Sequence, residues 1–289
     1  MALLGPNGAG KTTMVRMLCC LIRPTGGTAR VGGNDIRKAP EKVRSICGLS
    51  TEAPGLYERL TASEYLMFFA RLYGVPDSNV SARVEEQLGA ADLWGRRHDL
   101  LATFSKGMRQ KINIARAVVH NPEVIFLDEP TSGLDVEAAA AVRERILDMS
   151  QRGETTFLIC THNLAEAERL CDRIAILRRG RVLATGTPHE LRQRLVGERV
   201  LRVRLRKVLP LHREAAVSVP GVSGASIDAD ELVIHTNASQ AETTPEIVRR
   251  LVESGADVIA CVSDERSLED VYLNLMRRDV EADGVGGSP

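Results

Sequence analysis

The spacing of apolar positions changes repeatedly along the chain, and each change predicts an element. Val124-Ile125-Phe126-Leu127 is a short, wholly apolar run, as expected of a strand buried on both faces of a parallel sheet. Thr155 to Cys160 predicts a second such strand. Helical spacing appears from Thr12 to Ile22, where Arg23-Pro24 should stop it. It recurs over Val80 to Ala90, Gly107 to Val119, Glu137 to Gln151 with Gly153 as the stop, and Asn163 to Cys171. Thr61-Ala62-Ser63-Glu64 has the spacing of a capping box, so a helix carrying Tyr65, Leu66, Phe68, Phe69, Leu72 and Tyr73 should start there. Thr25-Gly26-Gly27 to Gly32-Gly33 predicts a short strand between turns. Strands interleaved with helices predict a parallel α/β sheet.

The pattern switches near Gly197. Val200 to Arg206 alternates apolar and basic residues, the mark of a half-exposed strand. Leu232 to His235 and Val258 to Val262 predict further strands, and Ile247 to Ser254 and Ser267 to Met276 predict helices. A separate small α+β unit is expected, followed by a Gly-rich disordered end from Asp283 to Pro289. No internal repeat is visible. Arg202, Arg204 and Arg206 allow two readings: a basic patch for a lipid headgroup or acidic partner, or the solvated face of a strand.

Composition narrows the field. The chain has 289 residues, enough for one large and one small domain. Its 38 Lys and Arg balance 38 Asp and Glu, so nothing argues for nucleic acid as a partner. No run of about 18 apolar residues encodes a membrane span, and no signal peptide is visible. The six cysteines, Cys19, Cys20, Cys47, Cys160, Cys171 and Cys261, lack metal-site spacing and are expected to be small buried thiols of a reducing compartment.

The candidate chemistry starts at Gly5-Pro6-Asn7-Gly8-Ala9-Gly10-Lys11-Thr12, which fits G-x-x-x-x-G-K-[ST]. Glycines let the backbone curl until several N–H groups face one phosphate at the start of a helix, with Thr13 next in line. Lys11 should reach the β- and γ-phosphates, and the Thr12 hydroxyl should help hold Mg²⁺. Asp128-Glu129 follows the apolar strand directly. An acid there, Asp128, can hold Mg²⁺, and Glu129 can orient or polarise an attacking water.

Phe104-Ser105-Lys106-Gly107-Met108-Arg109-Gln110-Lys111 resembles the signature sequence of ABC-type ATPases, usually close to LSGGQ. Ser132-Gly133-Leu134-Asp135 is similar to that family's D-loop, and Thr161-His162 after a strand is similar to its switch histidine. The resemblance runs to about residue 190. It implies a P-loop NTPase parallel sheet with a helical signature subdomain at about 58–120, within an ATPase domain at 1–195. An accessory α+β domain at 196–278 and a disordered tail at 279–289 should follow. Leu177 to Pro188 and the ending Ser267 to Tyr272 resemble drug- and sodium-export members of the family. The implied cofactors are ATP and Mg²⁺. The implied partners are a separately encoded membrane permease and a second ATPase subunit, identical or not, at the cytoplasmic face of the membrane.

The same resemblance implies roles for single residues. Ser105 and Gly107 should meet the nucleotide of the other subunit, Asp135 should cross the interface, and His162 should contact the γ-phosphate in cis. The region Tyr57 to Tyr73 should hold mostly core aromatics, with Tyr57 nearer the permease. Two positions depart from the family pattern. Lys106 stands where glycine is common, and Glu52 stands where the Q-loop usually offers glutamine to the metal; glutamate still supplies an oxygen ligand. The family also has strands before the phosphate loop, with an aromatic that stacks on adenine. Only Met1 to Leu4 precede the loop here, so the resemblance implies a truncated start, with the missing strands expected in frame upstream. Alternatives open at this point are a turnover-deficient fragment acting by binding partners, and a non-transport ABC ATPase.

Overall fold

A computed structural model describes residues 1–153, 155–194, 199–236, 240–264 and 267–284. The chain separates into two compact units, Met1–Pro188 and His189–Pro289.

In chain order the first unit contains β1 (Ala2–Leu4), α1 (Lys11–Leu18), β2 (Arg30–Val31), β3 (Asn34–Asp35), α2 (Pro40–Ile46) and β4 (Cys47–Ser50). It continues with α3 (Ala62–Leu72), α4 (Asp77–Ala90), α5 (Lys106–Val118), β5 (Val124–Asp128), α6 (Val136–Gln151) and β6 (Thr156–Thr161). It closes with α7 (Leu164–Leu170), β7 (Ile174–Arg178) and β8 (Arg181–Gly186). Six strands form one sheet in the order β4-β5-β6-β1-β7-β8. All neighbours are parallel except the β7–β8 pair. The apolar runs become strands because both faces are covered: Ile125, Phe126, Leu127, Ile159 and Cys160 are all buried.

A parallel sheet directs the loops that follow its strands to one edge. The turns after β1, β4, β5 and β6 therefore share the carboxyl edge of the sheet. A second apolar cluster, built on Tyr65, Leu66, Val84, Leu88, Leu101, Phe104 and Ile112, belongs to α3, α4 and α5. The Thr61–Glu64 capping box forms as expected, with the Thr61 N–H donating to Glu64 Oε2 at 2.8 Å and the Glu64 N–H to Thr61 Oγ1 at 3.2 Å. Among the aromatics, Tyr65 is buried and Phe69 half-buried, but Tyr57, Phe68 and Tyr73 are exposed; Phe68 and Tyr73 lie outside the core, against the expectation of mostly core aromatics.

Helix α1 ends at Leu18, short of the expected Ile22. Cys20 adopts φ 56, the Leu21 N–H donates to Arg16 O and the Cys20 N–H to Met17 O. That is a Schellman cap with cysteine in the usual glycine place, so the chain turns away before Pro24 can act. Leu21 and Ile22 are consequently exposed.

The second unit begins with α8 (Pro188–Arg194) and continues through β9 (Arg199–Leu205), α9 (Pro210–Val217), β10 (Val222–Asp228) and β11 (Glu231–Thr236). It ends with α10 (Gln240–Glu253), β12 (Val258–Asp264) and α11 (Leu268–Gly284). Its sheet is antiparallel in the order β10-β11-β9-β12. Alternation along β9 buries Leu201, Val203 and Leu205 in the core of this unit. The opposite face carries ion pairs: Arg204 with Glu231 at 2.8 Å and Asp230 at 3.6 Å, and Arg202 with Glu231 at 3.6 Å. The arginine row thus faces an acidic row on β11 and its turn, which is the solvated-face reading. Helix α11 runs to Gly284, beyond the expected start of the disordered tail at 279; residues 285–289 lie outside those described.

Cys19, Cys47, Cys160 and Cys171 are buried, Cys20 is half-buried and Cys261 is exposed, against the expectation for that residue. Burial pushes the Cys47 thiol up to about 12 and raises Cys19 and Cys160 as well, so these thiols stay protonated and inert.

Gly48 in β4 marks the closest approach of helix to sheet. A methyl group there would overlap the carbonyl oxygen of Ala117 in α5 and lie 3.1 Å from Pro122 Cγ. Gly48→Ala should destabilise the chain by about 1–3 kcal/mol, the usual cost of overpacking. In urea unfolding the midpoint should fall at unchanged slope. An unchanged midpoint would mean that α5 can retreat from the strand.

Candidate functional site

The Gly5–Thr12 loop joins β1 to α1. Gly8 and Gly10 have φ of 79 and 101, conformations that cost L-residues strain and glycine nothing. Gly10 precedes α1 without a side-chain cap, so the first-turn N–H groups of the helix are left for an anion. Lys11 is only 6% exposed. Its ammonium donates to Gly5 O at 2.7 Å and Pro6 O at 3.3 Å, and lies 3.2 Å from Glu129 Oε1. Thr12 Oγ1 donates to Asp128 Oδ2 at 2.7 Å.

Asp128 ends β5 and Glu129 begins the following turn. Both are buried, and their other oxygens, Asp128 Oδ1 and Glu129 Oε1, make no hydrogen bond. For Glu129 Oε1 the contact with Lys11 is one of charge, without hydrogen-bond alignment. Glu129 Oε2 lies 2.9 Å from His162 Nδ1. Glu129 also adopts φ 51, a left-handed conformation of the sort that persists at functional sites. Its N–H donates to Cys160 O at 2.8 Å, which ties the turn to β6. The Asp128 carboxyl is held above its ordinary range, first by burial and then by the charges of Glu129 and Glu52; the Thr12 hydrogen bond and Lys11 oppose the rise.

The expected residues thus divide. Lys11, Thr12, Asp128, Glu129 and His162 meet around the end of β5, with Glu52 close enough for its charge to act on Asp128. Thr13 is exposed on α1. Ser105 and Asp135 do work inside the chain. Ser105 Oγ caps α5 by accepting from the Met108 N–H at 3.3 Å, and Asp135 Oδ1 caps α6 by accepting from the Ala138 N–H at 2.8 Å. Gly107 lies where a methyl group would come within 2.9 Å of the Ala138 side chain, so α5 and α6 touch there.

The sequence reading missed three supports of the site. Glu166 is buried and accepts from Thr131 Oγ1 at 2.6 Å and Thr161 Oγ1 at 2.7 Å, joining the turn after β5 to the turn that carries His162. Asn113 Nδ2 donates to Thr51 O at 2.8 Å, and Arg116 donates to Leu49 O and Pro54 O. These two side chains of α5 hold the backbone on either side of Glu52. The available signal was a run of polar residues on the buried face of an amphipathic helix.

The donor set suits a hard divalent cation: the Thr12 hydroxyl, the Asp128 carboxylate with an unpartnered oxygen and a further acid at Glu52 are all oxygen ligands.

Residues 1–132 match the family described as ABC transporter. The daunorubicin/doxorubicin resistance ATP-binding protein DrrA of Streptomyces peucetius is 36% identical over 94% of this chain and 82% of that protein. The Nod factor export ATP-binding protein I of Rhizobium sp. (strain N33) is 32% identical over 96% of this chain and 88% of that protein. Among solved structures, the dimeric post-hydrolysis state of the ATP-binding cassette MJ0796 bound to ADP and Pi superposes with a TM-score of 0.59. It is 25% identical and covers 64% of this chain and 84% of that one. With similarity across nearly its whole length, the chain belongs to the ABC transporter family, and it is an ATPase of the ATP-binding kind.

Proposed function

We propose that this chain hydrolyses ATP to drive export through a separately encoded membrane permease. The observation that carries the chemistry is the Glu129 carboxylate, buried, in a left-handed conformation and set between Lys11 and His162. The export reading is supported by relatives whose names refer to drug resistance and Nod factor export. Among the described residues no helix is long and apolar enough to cross a membrane. A permease would supply the span, and this chain would work at its cytoplasmic face.

The residues take the following roles. The Gly5–Thr12 loop, with Gly5, Pro6, Asn7, Gly8, Ala9, Gly10, Lys11, Thr12 and Thr13, cradles the phosphates. Thr12, Asp128 and Glu52 are the residues that would hold Mg²⁺, which would offset the charge of the β- and γ-phosphates. Lys11 exchanges Glu129 for a phosphate oxygen when nucleotide enters. That exchange frees Glu129 Oε1 to take a proton from the attacking water, and His162 keeps the carboxylate aimed through Oε2. A second subunit contributes its own Ser105 and Gly107 to this nucleotide, with Asp135 at the interface; that the MJ0796 cassette is dimeric supports the pairing of two subunits. Residues 196–278 serve as an accessory domain.

Glu129→Gln keeps the shape of the side chain and removes its charge. It should lower the rate of phosphate release about 10²–10⁴-fold while ATP binding persists. Turnover close to that of the parent protein would remove Glu129 from this role.

Asp128 generates a second prediction. Its carboxyl is raised, so the folded chain favours the protonated form and the charged form weakens the fold. That cost is fully present at neutral pH and is lost as pH falls through the carboxylate range. Asp128→Asn should therefore raise the melting midpoint of the nucleotide-free chain at neutral pH, by about 2–4 °C for each 1 kcal/mol relieved. The gain should shrink on acidification, and turnover should be lost. Melting curves at two pH values check this, and a midpoint at or below the parent's at neutral pH contradicts it.

A further inference from the structure

Both departures from the family pattern, an acid at Glu52 and a base at Lys106, line one cavity of about 300 Å³ beside Glu129. The other charges there already have partners. Glu58 lies 2.7 Å from the Arg109 guanidinium, and Glu129 is held by Lys11 and His162. Among the described residues, Glu52 and Lys106 are the charged groups of this cavity outside any ion pair. Both are exposed.

Their positions are fixed relative to one another by a single helix. Lys106 is the first residue of α5. Further along α5, Asn113 and Arg116 bind the carbonyls of Thr51 and Pro54, on either side of Glu52. The Lys106 side chain turns inward over its own chain: a methyl group on Gly133 would overlap its ammonium, and Gly133 leaves that space open. Lys106 therefore faces the cavity and the Ser132–Leu134 turn of its own chain.

We propose that Lys106 is a positioning residue, the counter-charge that makes an acid at Glu52 tolerable beside Asp128 and the incoming phosphates. The proposal rests on the nucleotide site assigned above. Without Lys106, Glu52 would add an uncompensated negative charge where a polyanion must bind. With it, one acid and one base line the same cavity, and their charges offset one another through water.

The test is a double-mutant cycle on the full chain, read with ATP and Mg²⁺ by phosphate release. Lys106→Met should raise KM for ATP about three- to tenfold at low salt with a smaller change in kcat, and the effect should fade at high ionic strength. Lys106→Arg should restore KM. In a Glu52→Gln background, Lys106→Met should change KM less than about twofold, because the charge it balances has gone. An equal effect in both backgrounds, or one indifferent to salt, overturns the proposal. If the parent protein turns over no ATP, the site assignment fails, and the melting midpoints of the four nucleotide-free proteins still read the coupling. The midpoint should fall on Lys106→Met only where Glu52 is present, and additive midpoints overturn the pairing.

Discussion

One buried ion pair organises the carboxyl edge of the sheet. Lys11 and Glu129 are 6% and 9% exposed, and each offsets the buried charge of the other. Removing one partner of such a pair typically costs about 3–5 kcal/mol, because the other is left uncompensated. The pair dictates the surrounding geometry. Lys11 must fold back toward Gly5 O and Pro6 O to satisfy its remaining protons, which curls the loop. Glu129 must enter a left-handed conformation to turn its carboxylate toward both Lys11 and His162. The turn after β6 is then tied in through Cys160 O and through Glu166, which bridges Thr131 and Thr161.

Helix α5 transmits that edge to the helical subdomain. Its first turn carries Ser105, Lys106 and Gly107 against the turn at Gly133 and the start of α6. Its later turns hold Leu49, Thr51 and Pro54 through Asn113 and Arg116, while Arg116 also donates to the Tyr65 hydroxyl. Gly48 lets the same helix lie directly on β4. A rigid element with both loops fastened to it moves them together or not at all. Nucleotide-dependent movement of the stretch around Glu52 and of the signature residues would then be one motion, coupled by hydrogen bonds rather than by distance.

How much of this was legible in the sequence follows from what each element depends on. β5, β6 and β9 could be read because burial on two faces or one writes itself as an apolar run or as alternation. The start of α3 could be read because a capping box is local chemistry. β4 could not: Cys47-Gly48-Leu49-Ser50 is short and small because α5 lies on it, and that reason is a tertiary one. β7 and β8 were not predicted as strands; the resemblance of Leu177 to Pro188 marked a family stretch and no element. β10, with Ser223, Gly224 and Ser226, sits at a sheet edge, where one ladder partner suffices and the apolar period weakens. The end of α1 was placed too late, because the left-handed turn at Cys20 has no residue signature. At the site, the loop, Asp128, Glu129 and His162 were legible from their order. Glu166, Asn113 and Arg116 were not, since the partners they join across the site, Thr131, Thr51, Leu49 and Pro54, are distant in sequence.

The distribution of unfavourable features argues for where this chain keeps its function. Buried polar atoms normally find hydrogen-bond partners, yet several do not, and four of them, Ser50 Oγ, Gln110 Nε2, Asp128 Oδ1 and Glu129 Oε1, belong to the strand ends and helix that frame the site. The left-handed Glu129 and the raised Asp128 carboxyl lie in the same place. The arginine row of the second unit shows the opposite condition. Arg202 and Arg204 meet Asp228, Asp230 and Glu231 on the exposed face of a sheet, where pairs are screened by salt and contribute little. A chain that pairs its charges on an open surface and holds a strained backbone, a raised carboxyl and oxygens without hydrogen bonds at one buried edge has placed part of its instability there. Such instability persists under selection where a ligand relieves it, and the ligand that fits this edge is a polyanion with a hard cation.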